Sequence, residues 1–252
     1  MIFSSGTKKP NIHPSAYVAP TAMVGGDVTI GAECAVLHGA VITAEGAPVS
    51  IGAQSVIMEN AVLKASGGSA VQYPLTLGQS CIVGPHAYIV GATIGDGCFI
   101  AGGAKVFNGA AMENGSGVAL GGIVHVKARL RAGSSVPMLH IAHGDPAAID
   151  PPEKAPAIHR EIDFFADVFN VEGGEGGRAR AAATYAKFLR KTHAQDSVLA
   201  EHRNAKPPPR RSGEEPPPTQ VAEVDKVVDV MMLELEEMEQ RRQAAIKRQK
   251  GR

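Results

Sequence analysis

Three side chains in this 252-residue sequence stand where they could do chemistry together: His38, Glu59 and His86. Two histidines and one carboxylate make a set that holds a catalytic divalent metal. A single histidine can instead act as the general base that takes a proton from an attacking hydroxyl or amine, with His38 the best candidate and His125 and His86 behind it. The plain alternative is that His38 and His86 are surface or interface histidines making ordinary hydrogen bonds. Which reading holds depends on the elements that carry these residues and on whether their side chains converge.

Those elements are announced by one repeat. From Ile12 to Val136 an aliphatic residue returns every sixth position with few interruptions: Ile12, Val18, Val24, Ile30 and Val36, then Ile51, Ile57 and Leu63, then Leu77, Val83 and Ile89, then Ile94 onward to Val136. Four residues after each rung stands a small residue, such as Ala16, Cys34, Ser55, Ala61, Cys98 or Ala128. Neither an α-helix nor an ordinary strand has this period, so the unit is a short strand plus a sharp corner. Glycines after the rungs (Gly25, Gly31, Gly52, Gly78, Gly84, Gly95) are expected to supply corner backbone angles that a Cβ would penalise. Three units closing a triangular coil stack the rungs into columns, each coil burying the open face of the next. The pattern resembles the left-handed parallel β-helix of hexapeptide-repeat proteins, a mainly β fold followed here by C-terminal α-helices.

Composition narrows the classes. Lysine and arginine number 25 and aspartate and glutamate 25, and the sequence pI is near 7.1, so no long-range electrostatic case exists for nucleic acid. Tryptophan is absent and aromatics are 4 %, as a narrow interior filled by Val, Ile and Ala requires. Cys34, Cys81 and Cys98 all fall on the small inward position, which makes them buried thiols rather than ligands or a disulfide framework. No stretch reaches membrane-spanning length and residues 1–11 lack a signal-peptide core, so a soluble, cytoplasmic protein without a transmembrane segment is expected.

The chain divides into a β-helix domain over 1–150, a helix over 151–171 packing on it, a Gly- and Pro-rich joint over 172–218 holding a helical segment at 178–203, and a heptad-patterned helix over 219–252. The first of these helices runs from about Glu153 to Asn170, with Ile158, Ile162, Phe165 and Phe169 facing the solenoid; the second carries Tyr185, Phe188 and Leu189 on one side. The last has Val221, Val224, Val228, Met231, Leu235 and Met238 in a coiled-coil seam that could engage a protein partner. Three irregularities break the ladder: Ile42 to Ile51 is three residues too long, Leu63 to Leu77 eight too long, and Ile89 to Ile94 one too short. Extra length leaves a solenoid as edge loops, where sites are commonly placed.

Several local runs narrow the likeness: Gly26-Asp27-Val28-Thr29-Ile30-Gly31, Val36-Leu37-His38-Gly39, Leu75-Thr76-Leu77, the shortened Gly91-Ala92-Thr93-Ile94-Gly95 corner and Gly144-Asp145-Pro146-Ala147. Over about Asn11 to Glu172 the chain resembles the γ-class carbonic anhydrases. That resemblance implies a homotrimer in which three histidines hold a divalent metal, usually zinc, between subunits, and metal-bound hydroxide attacks carbon dioxide. In register, the family's ligand positions are occupied here by Lys64, Pro85 and Val90. The family's Arg-Gly-Asp run reads His38-Gly39-Ala40 and its Gln-Asp pair reads Met58-Glu59. No zinc cofactor is therefore expected at these positions, and a metal could return only through a different set such as His38, Glu59 and His86. The expectation is a non-catalytic, scaffold-like trimer. Its rivals are an acyl- or acetyltransferase with His38 as base acting on a coenzyme A thioester, although the Ala65–Gln72 loop offers no evident acceptor pocket, and a metal enzyme with a rebuilt site.

Overall fold

The computed structural model describes residues 1–67, 71–169, 171 and 174–199. The proline-bracketed linker and the heptad helix of 219–252 lie outside the described residues.

A six-residue unit can bury its rung only against an identical unit one coil away, and that is the arrangement found. Rungs pair in parallel with the rung three units on, Ile12 with Ile30, Val18 with Val36 and Val24 with Ile42, through to Met112 with Leu130 and Val118 with Val136. Three sheets result, two of seven strands and one of eleven, forming the faces of a left-handed β-helix. The first face carries the Ile12 column, the second the Val18 column and the third the Val24 column. Every rung of the third face, from Val24 through Leu63 and Ile89 to Val124, is fully enclosed at 0 % exposure. Such burial contributes about 1.5–3 kcal/mol per aliphatic side chain, which explains why the repeat tolerates so few substitutions of type. Only the end positions loosen: Ile12 and Ser134 are half-buried.

The corners correct one expectation. Gly31, Gly52, Gly78, Gly84 and Gly95 do not adopt left-handed angles; a Cβ at Gly52 would lie 2.5 Å from the amide nitrogen of Gln79, and one at Gly31 2.7 Å from that of Ala53. These glycines are dictated by the closeness of stacked coils, not by φ. The left-handed residue comes three positions after most rungs, as at Gly103 (φ 68°), His86 (φ 58°) and Lys127 (φ 58°), and shifts at the irregular corners, as at Gly46 (φ 76°) and Gly91 (φ 52°).

The cysteines behave as expected: all three are buried and unpaired. They share one column with Ser55 and Ser116 along the corner between the first and second faces. Cys34 Sγ donates to the Gly52 carbonyl at 3.1 Å, Ser55 Oγ to Gly78 at 2.9 Å, and Cys81 Sγ to Gly95 at 3.1 Å. The inward small residue thus supplies a donor to the next coil's corner carbonyl, which serine and cysteine can both do.

Beyond the solenoid the single helix expected over 153–170 is two. A 3₁₀ turn at Pro152–Lys154 leads into α1 (Ala155–Glu161), Ile162 turns extended, and α2 covers Phe164–Phe169. The Asp163 carboxylate accepts the amides of Phe165 and Ala166 at 3.1 and 3.0 Å, capping α2 and fixing the break. The helix expected over 178–203 is also shorter: α3 spans Gly177–Thr192, and Asp196–Val198 then pairs antiparallel with Ile2–Ser5 at the solenoid's open end. An unpaired parallel edge has backbone groups to satisfy, and that pairing overrides helical spacing. Tyr185 and Phe188 of α3 are half-buried and Ala181 is buried, so the described residues all belong to one compact unit, Met1–Lys206.

Candidate functional site

All three irregularities of the ladder fall on the edge where the third face turns into the first. There the strands Val41–Ala44 and Val62–Gly67 run longer than the two-residue strands elsewhere, and the eight-residue insertion returns as Gln72–Tyr73, antiparallel to the end of Val62–Gly67. Along this edge the residue after each rung forms a column of Thr43, Lys64, Val90, Phe107 and His125, with Lys64 paired in register to both Thr43 and Val90.

Lys64 is the electrostatic centre of that column. Its Nζ lies 2.9 Å from Oε2 of Glu45, with only 18 % and 11 % of the two side chains exposed. It also donates to the Tyr185 hydroxyl at 3.3 Å, which in turn donates to Glu45 Oε2 at 3.3 Å. Burial disfavours the ammonium, but the hydrogen bond and charge of Glu45 outweigh it and raise the Lys64 pKa above its ordinary value. Burial, with the charge of Glu45, likewise holds the Tyr185 phenol up, so it remains a neutral donor. The carboxylate comes from the three-residue insertion and the phenol from α3, so the solenoid edge and the C-terminal helix are joined across a charge pair.

Beside this pair lies a cavity of about 550 Å³. Lys64, Tyr88, Val90, Phe107 and Asn108 form its solenoid wall; Ser66, Gly67 and Val71 form one rim; Phe164, Val168 and Phe169 of α2 and Ala181, Tyr185 and Phe188 of α3 close it. Ser66, Gly67 and Val71, from the stretch in which no acceptor pocket was evident from sequence, therefore line one.

The other candidates sit on a different corner. His38 and Glu59 occupy equivalent positions in adjacent coils where the second face turns into the third, and His86 follows one coil on: the Asn60 amide donates to the His38 carbonyl and the His86 amide to the Glu59 carbonyl, each at 3.0 Å. Stacking brings their backbones together. Their side chains do not form a ligand set within one chain, because among the described residues no group of three His, Cys, Asp or Glu side chains is placed to hold a metal. His38 is exposed, its Nδ1 2.9 Å from the Thr21 hydroxyl, and His86 is an exposed left-handed corner residue. His125 is a poor base: the Val126 amide donates to its Nδ1 at 2.8 Å, which leaves the proton on Nε2, and burial followed by the nearby His143 lowers its pKa.

Pro85 lies on that second-to-third corner, where its carbonyl accepts the Gly103 amide at 2.9 Å, whereas Lys64 and Val90 lie on the third-to-first edge. Tested as a zinc site, the three do not fit. Proline and valine side chains carry no donor atom, and the Lys64 lone pair is taken up by a proton held by Glu45.

The chain matches gamma carbonic anhydrase 1, mitochondrial, of Arabidopsis thaliana with 28 % identity over 210 residues, 79 % of this chain and 74 % of the relative. In sequence the chain is similar to the γ-carbonic anhydrases, and it folds as a hexapeptide-repeat β-helix. Gamma carbonic anhydrase 2, mitochondrial, of the same plant is 26 % identical over 210 residues, 79 % of this chain and 73 % of its own length. A hexapeptide transferase family protein from Anaplasma phagocytophilum is similar to the γ-carbonic-anhydrase-like chain in structure at 17 % identity and a TM-score of 0.43, covering 77 % of this chain and 98 % of its own. No protein-family model matches. Among the described residues no helix is long and apolar enough to cross a membrane.

Sequence reasoning located Lys64 and Val90 but missed Glu45, Asn108 and the role of Tyr185. The only available signal was that Glu45 lies in the first ladder insertion and Tyr185 on the aromatic side of α3.

Proposed function

We propose that this γ-carbonic-anhydrase-like protein has lost the family's three-histidine zinc site and works as a homotrimeric assembly protein without zinc-dependent hydration of carbon dioxide. The observation that carries this reading is the enclosed Glu45–Lys64–Tyr185 group. At one ligand position stands a protonated amine with its own carboxylate and a helix laid over it, and at the other two stand side chains without a lone pair. Self-association is supported by apolar side chains left exposed on the second face and its following corner: Ile82, Phe99, Leu120, Met138 and Leu139, between 43 % and 62 % exposed. The test is stopped-flow hydration of carbon dioxide with protein supplemented with zinc, run beside light scattering for mass. A trimer with no zinc-stimulated rate is expected; zinc-dependent hydration would remove the proposal. A protein partner engaged through the 219–252 helix, and a cytoplasmic location, belong to the same proposal.

Acyl transfer through His38 is the second reading, supported by the exposure of that ring and by Thr21 holding its Nδ1. It requires saturable binding of acetyl-coenzyme A that weakens in His38→Ala. A flat titration removes it.

A further inference from the structure

We propose that the cavity between the third-face edge and helices α2 and α3 binds a small neutral molecule with a planar aromatic body and one amide edge, an aromatic carboxamide or lactam. At about 550 Å³ it falls within the ~300–1,000 Å³ of small-molecule pockets. Its walls are aromatic on both sides, with Tyr88 and Phe107 on the solenoid and Phe164, Phe169 and Phe188 on the helices; Phe107 and Phe164 meet edge to face at 6.1 Å. Flat ring systems suit such walls.

The polar groups define the rest. Asn108 is only 2 % exposed, and one atom of its side-chain amide lies 2.5 Å from Ser66 Oγ, a hydrogen-bonded pair in either orientation of the amide. Among the described residues the other amide atom has no partner, and Ser66 Oγ has none beyond Asn108. A buried amide atom left without a partner calls for one. With Oδ1 outward the pair offers an acceptor and the hydroxyl as donor; with Nδ2 outward it offers a donor and the hydroxyl as acceptor, so in both it complements the N–H and C=O of an amide. Charge excludes the alternatives. Lys64, the cation lining the cavity, is already neutralised by Glu45, so a carboxylate would have to displace Glu45 and an ammonium would face Lys64. The inference goes beyond the metal-free reading rather than resting on it, since its hydrogen-bonding pair, Asn108 and Ser66, stands at none of the family ligand positions.

The experiment is a calorimetric titration of the full chain with 1-naphthamide and, separately, 1-naphthoate. Saturable binding of the amide is expected, with the carboxylate at least tenfold weaker. Asn108→Ala and Ser66→Ala, each checked for an unchanged circular dichroism spectrum, should weaken the amide about threefold to tenfold, as the loss of one hydrogen bond does. Thr184→Trp, at an exposed position on the cavity wall, should abolish binding. No saturation with the amide, wild-type affinity in all three variants, or a carboxylate binding as tightly as the amide would each overturn the proposal. Zinc content measured on the same samples separates the two readings. A zinc-loaded protein that binds the amide keeps this proposal and removes the metal-free one; a metal-free protein that ignores the amide does the reverse.

Discussion

Glu45→Gln should loosen α3 from the solenoid. The substitution keeps the shape of the side chain but leaves the Lys64 ammonium, 18 % exposed, with neutral acceptors only, the new amide oxygen and the Tyr185 hydroxyl, and no counter-charge. Removing one partner of a buried pair costs about 3–5 kcal/mol; residual exposure and the remaining hydroxyl reduce this to about 2–4 kcal/mol. Because α3 can open without unfolding the β-helix, the suitable assay is hydrogen exchange by mass spectrometry on peptides from 177–192. Exchange there should accelerate about 30-fold to 700-fold, while peptides from the stacked coils stay unchanged. Glu45→Gln combined with Lys64→Met should restore most of the protection, since the stranded charge is gone. The pH dependence has a definite sign. The Lys64 pKa is raised in the folded state, so the pair's stabilisation is fully present below the unfolded lysine value of about 10.4 and is lost as pH rises through the higher folded value. A change below threefold in Glu45→Gln, or a double variant as loose as the single, would refute the enclosed ion pair.

Other outcomes follow from the solenoid. Cys81→Ser should cost under about 1 kcal/mol in urea unfolding, since serine can donate to Gly95 as Ser55 does to Gly78, whereas Cys81→Val should cost about 1–3 kcal/mol for the orphaned carbonyl. The Cys81 thiol is held up by its hydrogen bond with Cys98 and then by burial, and burial raises that of Cys34, so neither should react with Ellman's reagent until the protein unfolds. Gly52→Ala should destabilise by about 1–3 kcal/mol through contact with the Gln79 backbone, seen as a lower melting temperature by circular dichroism. His86→Gly should leave the fold intact or raise stability by up to about 1 kcal/mol by relieving its left-handed backbone.

The coil was legible because every rung repeats one demand, an aliphatic side chain buried by its parallel neighbour. The same register placed Lys64 and Val90 in one column and His38 and Glu59 in another. The corners were half legible: glycine marked them, but its reason lay in the approach of Gly52 to Gln79 one coil away, which no local pattern carries. The partners of Lys64 were not legible at all. Glu45 sits in an aperiodic insertion and Tyr185 is 121 residues distant, so their meeting depends on how α3 docks. The strand at Asp196–Val198 escaped for the same reason, since its partner is the chain's first strand. The break before α2 was readable in retrospect from Asp163, a capping residue inside an otherwise helical run.

The central claim is that Lys64, Pro85 and Val90 leave no zinc site, and metal analysis of the purified full-length protein tests it most directly. The account predicts zinc far below one atom per chain, unchanged by dialysis against zinc followed by desalting. Near-stoichiometric zinc that survives desalting, is removed by a chelator and supports hydration of carbon dioxide would contradict it.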